Sequence, residues 1–151
     1  MGSFIVLLCT KGYIKDKEEH MKRVKHSPHK SSFGVNANIV ILVVWFGAFF
    51  LSLIEPISFL SFSIPFIILF METESSLVKH HAIQAISLFF FNIIATLFVF
   101  IFPFLGFIFW IIAIIELALI VVAAQRGWDY QEYDLPFIQP LAKIVKKFLL
   151  R

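Results

Sequence analysis

One stretch limits this chain more than any other. From Ile39 to Met71 it is apolar for 33 residues, interrupted only by serines and by Glu55-Pro56. A single straight helix of that length would extend about 50 Å, against about 30 Å for the hydrocarbon core of a bilayer. A proline following a charged residue near the middle is where such a run turns, because the ring removes an amide donor and restrains the residue before it. The run therefore divides into one span over 36–54 and a shorter one over 57–71. Two further runs follow over 82–102 and 107–124, separated by the tight turn Pro103-Phe104-Leu105-Gly106. A chain of 151 residues that is 60% apolar and only 15% charged has too small an interior to bury so much apolar side chain in one soluble core. The expected architecture is an all-α integral membrane protein: four transmembrane helices with a C-terminal basic amphipathic interfacial helix.

The placement of lysine and arginine sets the orientation. With four spans, the amino-terminal arm, the middle loop and the carboxyl terminus share one side, and they hold seven, one and five of these residues, which is all 13. Positive residues in short loops stay cytoplasmic, so both termini are expected to face the cytoplasm or an equivalent interior. Residues 1–35 then form a basic cytoplasmic arm, expected to be mobile, ahead of a membrane domain over 36–127. The apolar stretch Phe4–Cys9 is six residues, short of the roughly 7–15 of a secretory core. Val6 stands where a myristoylation motif needs serine or threonine. Met21 is an alternative start to Met1. The lone Cys9 allows no internal disulfide.

The fourth run closes on Gln125-Arg126-Gly127, a cation and then a glycine, as a helix C-terminus prefers. Beyond it, 128–151 reads as interfacial. Trp128, Tyr130 and Tyr133 sit where an aromatic belt belongs. Leu141, Ile144, Val145, Phe148 and Leu149 then recur at one helical face, with Lys143, Lys146, Lys147 and Arg151 off it. Such a helix lies on anionic lipid headgroups or packs on another subunit.

Within the spans, polar side chains are few. Glu116 is the one charged residue deep in a run, and a charge near mid-bilayer must face protein or water. Gly106, Ala113, Ala123 and Gly127 recur with it as a small-residue strip that lets another helix approach. His81, Gln84, Asn92 and Thr96 share a face of the third span by steps of three and four. In an antiparallel pair, Asn92 and Glu116 fall at similar depth. The resulting seam is either a register-fixing interhelical hydrogen bond or a path for protons or substrate. No nucleophile–base pair, phosphate loop or paired acids at catalytic spacing occurs, so an enzyme and a cofactor are not expected. Neighbouring His80 and His81 point about 100° apart on a helix and make a poor metal pair, so no metal site is expected either. The basic arm lacks aromatic interleaving, and nucleic acid is not an expected partner.

Pro65-Phe66-Ile67-Ile68-Leu69-Phe70, an acidic-serine loop and then Val78-Lys79-His80-His81-Ala82-Ile83-Gln84-Ala85 form a combined pattern, completed by Arg126, Gly127 and Pro136. Over 36–140 the chain resembles a family of small four-span prokaryotic membrane proteins of unknown function, similar to the twenty-kilodalton Tic subunit of chloroplast protein import. The resemblance implies four helices with both termini inside. Two roles are expected to compete. One is a subunit, scaffold or assembly partner working with other membrane proteins, possible also as a homo-oligomer and Tic-like in kind. The other is a small oligomeric channel or transporter working through the seam. A lipid-active envelope protein is a further alternative.

Overall fold

The computed structural model describes residues 24–52, 58–102, 104 and 106–149. The described chain is all-helical: α1 (Ala37–Ser52), a 3-10 turn (Ser58–Phe62) leading into α2 (Ser63–Met71), α3 (Ser76–Ile101), α4 (Gly106–Trp128) and α5 (Gln139–Leu149). Helical residues stop at Ser52 and resume at Ser58, while Glu55 and Pro56, expected to make the turn, lie outside the described residues. The centre of α1 widens to a π-helical turn over Val43–Gly47. Such a turn rotates the residues after it relative to those before it, and often marks a functional position. Here it carries the buried Trp45.

Among the described residues, two helices are long and apolar enough to cross a bilayer, α3 and α4, while α1 and α2 are shorter apolar helices. At about 1.5 Å per residue, α3 is about 39 Å long and α4 about 34 Å. Burial gathers at one end. The buried residues of α3 all lie between Leu77 and Leu88. They pack with Ile41, Val44 and Trp45 of α1, with Ala123 and Ala124 of α4, and with Leu135 and Ile138. The distal halves of α3 and α4 instead present Phe98, Phe100, Ile101, Phe107, Trp110 and Ile114 outward.

Three boundaries differ from the sequence expectation. Helix α3 starts at Ser76, six residues before the expected span, because the Ser75 side chain accepts a hydrogen bond from the Val78 amide and caps the helix. Helix α4 does not end at Gly127 but runs to Trp128. Its left-handed residue is Tyr130, at φ 56°. Tyr130 donates its amide to the Gly127 carbonyl at 3.1 Å and Gln131 donates to Arg126 at 2.9 Å, the paired closure of a Schellman motif. Gly127 is small for a different reason. A Cβ there would overlap the Ile41 side chain of α1 and stand 3.5 Å from His81 Cε1. Of the small-residue strip, Ala123 and Gly127 are buried, while Gly106 has open space around its Cα.

The third difference concerns the basic arm. From Val24 onward it is docked rather than loose. His26 donates its amide to the Tyr130 carbonyl at 2.8 Å, and the Glu132 amide donates to Val24 at 3.1 Å. Residues 1–23, the remainder of the arm, lie outside the described residues.

Candidate functional site

The segments at the packed end of the helices form a polar cap. Segment 24–36, the loop from Glu72 to Ser75 with the first turns of α3, and the stretch 129–135 after α4 meet there through side-chain hydrogen bonds. His81 is its centre and is fully buried. Trp45 Nε1 of α1 donates to His81 Nδ1 at 3.1 Å. His81 Nε2 lies 3.0 Å from the Gln131 carbonyl. An indole nitrogen only donates and a carbonyl only accepts, so the ring is the neutral tautomer with its proton on Nε2. One turn along, Gln84 donates from Nε2 to Asp134 Oδ1 at 3.0 Å and accepts from the Leu135 amide at 3.4 Å. His81 and Gln84 together clamp the 131–135 segment onto α3. The alanines beside them make the approach possible: Ala82 packs with Ala142 and Val145 of α5, and Ala85 belongs to the main core.

Around this clamp lie ionisable partners that sequence reasoning left in loops. His26 Nε2 is 2.9 Å from Glu132 Oε1, and His80 is 3.9 Å from Glu132 and 3.3 Å from Asp134. His29 bonds Ser75 Oγ at 2.8 Å. Glu72, at the end of α2, is buried. Its Oε1 accepts from the Ser32 hydroxyl at 2.6 Å, and from the amides of Ser32, Glu74 and Ser75 at 3.0, 3.0 and 2.9 Å. Burial opposes its charge, but these hydrogen bonds together outweigh burial and hold the carboxyl below its ordinary value of 4.5. A depressed folded value means the stabilising contribution is complete above the unfolded value and is lost as pH falls through the folded one. Acid titration of the folded protein, followed by circular dichroism, should therefore show a loss of stability below about pH 4.5 that Glu72→Gln removes. That variant should also be about 1–3 kcal/mol less stable at pH 7, since an amide cannot accept all of these bonds.

The expected seam separates into two places. His81 and Gln84 belong to the cap. Asn92 and Glu116 meet deeper. They line a cavity of about 210 Å³ between α1, α2, α3 and α4, with Ser52, Ser61, Trp45 and Phe89. Glu116 Oε1 is buried and has no hydrogen-bond partner among the described residues. Thr96 is exposed and does not line this cavity.

The interfacial residues also divide. Trp128 is exposed, as are Lys143, Lys146 and Lys147. Tyr130 is half-buried, its ring centroid 5.9 Å from that of His29, so it builds the cap rather than facing outward alone. On α5, Ala142 and Val145 are buried, and Leu141 and Leu149 pack beside them against Leu69, Ala82, Ile83 and Ile86. Ile144 and Phe148 point outward. The apolar face is thus shared between its own bundle and the surroundings. Arg151 lies outside the described residues. Among the described residues, no group of three histidine, cysteine, aspartate or glutamate side chains is placed to hold a metal ion.

Comparison with known proteins adds a family but no detailed template. No curated protein and no solved structure matches the chain. The resemblance to the Tic subunit gains no support from these comparisons. A family model does match, over residues 35–142, which takes in α1 to α4, the clamp and the first turn of α5. With well over half of its length matched, the chain belongs to the magnetosome magnetite crystal formation protein family.

Proposed function

We propose that this chain is a non-catalytic, four-span integral protein of a prokaryotic membrane, with both termini on the cytoplasmic side, serving as a scaffold or assembly subunit. The observation that carries the membrane reading is the distribution of exposed apolar side chains. Phe98, Phe100, Ile101, Phe104, Phe107 and Trp110 face outward around one end, while the polar segments gather at the other. In water such a surface far exceeds the few hundred Å² of apolar patch that soluble monomers expose. Helices α1 and α2 are short for a span, and cross if they sit beside α3 and α4 in a locally thinned bilayer. The gathering of the arm, the middle loop and the tail in one cap supports the even number of crossings, since three polar segments share one end.

The family name associates its members with a mineral-holding organelle. For this chain we carry over the membrane and not a mineral site, because three acids of the cap are committed to protein partners. Glu72 is bonded to Ser32, Glu132 to His26, and Asp134 to Gln84. The scaffold reading follows from a cap that fixes its helices to one another through hydrogen bonds. A Tic-like role in protein translocation would be a special case of such assembly.

One observation favours a second reading. The cavity holding Asn92 and the unpartnered oxygen of Glu116 is the natural place for a proton or small solute to pause. Proteoliposomes separate the two. On the scaffold reading, the purified protein carries no proton flux, and Glu116→Gln changes neither flux nor the size of the assembled particle. A wild-type flux lost by at least tenfold in Glu116→Gln would replace the scaffold with a channel.

A further inference from the structure

A second groove, of about 380 Å³, opens between the first turns of α3, the stretch after α4 and α5. We propose that it is a binding site for the phosphate of an anionic phospholipid headgroup. Lys79 comes to it from α3, and Lys143 and Lys146 from successive turns of α5. Neither Lys143 nor Lys146 has a carboxylate partner within ion-pair distance among the described residues. One further nitrogen sits on its wall, buried and without a hydrogen-bond partner, the side-chain amide Nε2 of Gln139, while His80 on the same wall faces Asp134 Oδ1 with its Nε2 at 3.3 Å.

A set of three ammonium groups and one amide N–H is rich in donors, and it calls for a ligand with several acceptor oxygens and negative charge. Glu132 and Asp134 also border the groove, where their carboxylates are already engaged, Glu132 by His26 at 2.9 Å and Asp134 by Gln84 at 3.0 Å and by His80 at 3.3 Å. Gln139 begins α5, the end at which a helix favours an anion. The volume admits a phosphate with a glycerol-sized substituent. The same helix turns Ile144 and Phe148 outward, which places an apolar surface for acyl chains next to the donors. The choice of lipid over free phosphate rests on the membrane reading above. The donor set itself does not.

The test uses the full chain in neutral detergent micelles, with bound ligand counted by native mass spectrometry. Phosphatidylglycerol, phosphatidylcholine and inorganic phosphate are titrated in parallel. One phosphatidylglycerol should be retained in preference to phosphatidylcholine, and Lys143→Gln with Lys146→Gln should weaken it roughly tenfold or more. Gln139→Leu, which changes no charge, should weaken it several-fold. Lys147→Gln, on α5 but off the groove, should leave it unchanged. If Lys147→Gln costs as much as Lys143→Gln while Gln139→Leu costs nothing, the attraction is a diffuse surface effect and the site is refuted. Equal retention of phosphatidylcholine would refute it as well. Binding of inorganic phosphate that displaces the lipid would overturn the lipid assignment, and would do so whatever the number of membrane spans.

Discussion

Gly127→Ala is expected to destabilise the protein by about 2 kcal/mol, and Gly127→Val by more. On an exposed helix the alanine change would stabilise by about 1 kcal/mol, because glycine gives up more backbone freedom. Here the new Cβ falls on Ile41, a β-branched side chain with little rotamer freedom, in a fully buried position between α1 and α4. Overpacking of this kind costs about 1–3 kcal/mol in well-filled cores, and at an overlap of this severity the upper end applies. Thermal unfolding in detergent micelles would measure it. Two companions make the reading specific. Gly106→Ala, with nothing within 4 Å of the added atom, should be neutral or slightly stabilising. Ile41→Ala combined with Gly127→Ala should lose less than the sum of the two single changes, because trimming Ile41 vacates the space.

The second large effect is expected at His81. His81→Leu keeps much of the volume but strands the Trp45 indole N–H and the Gln131 carbonyl, which the ring satisfies at 3.1 and 3.0 Å. Each stranded buried group costs about 1–3 kcal/mol, so a loss near 3 kcal/mol is expected, with the 131–135 segment loosened. Hydrogen exchange at the amides of Gln131, Glu132 and Leu135 should rise in parallel. Trp45→Phe removes one of the same bonds from the other side. The double variant should therefore be less harmful than the two singles added together, by about 1 kcal/mol. Strict additivity would mean the two rings do not work as a pair.

These two residues also show what could be read from sequence and what could not. The apolar runs, the interruption near Pro56 and the basic tail are local patterns, and helices stand close to where those patterns put them. The family-like run His81-Ala82-Ile83-Gln84-Ala85 was legible as a pattern, but its purpose was not. The partners of His81 and Gln84 lie about fifty residues further on, and spacing on one helix says nothing about contacts of that range. For the same reason His81 and Gln84 were grouped with Asn92 and Thr96 as one seam, since all four share a helical face. The fold takes the first pair into the cap, places Asn92 and Glu116 on one cavity wall and leaves Thr96 outside. Gly127 followed a cation at the end of an apolar run, which is the local signature of a helix stop. Its actual constraint comes from α1, more than eighty residues earlier. Glu72 looked like one acid among several in a polar loop. Only the folded backbone brings Ser32, Glu74 and Ser75 around it, although serine at position 75, ahead of Leu77 and Val78, was an available capping signal. On α5 the apolar periodicity was clear, yet periodicity cannot divide a face between the bundle and the surroundings.

The central claim is the crossing number, and side-specific labelling of single cysteines addresses it. With Cys9→Ser as background, Glu74→Cys and Asp129→Cys place a thiol at exposed positions of the cap, and Phe104→Cys places one at the turn between α3 and α4. Intact cells are treated with a membrane-impermeant thiol reagent, and the labelling is repeated after the membrane is opened. Four crossings with the cap inside predict that Phe104→Cys reacts in intact cells, while Glu74→Cys and Asp129→Cys react only after opening. Labelling of Glu74→Cys and Phe104→Cys together from one side would contradict a membrane-spanning α3, and with it the four-span account.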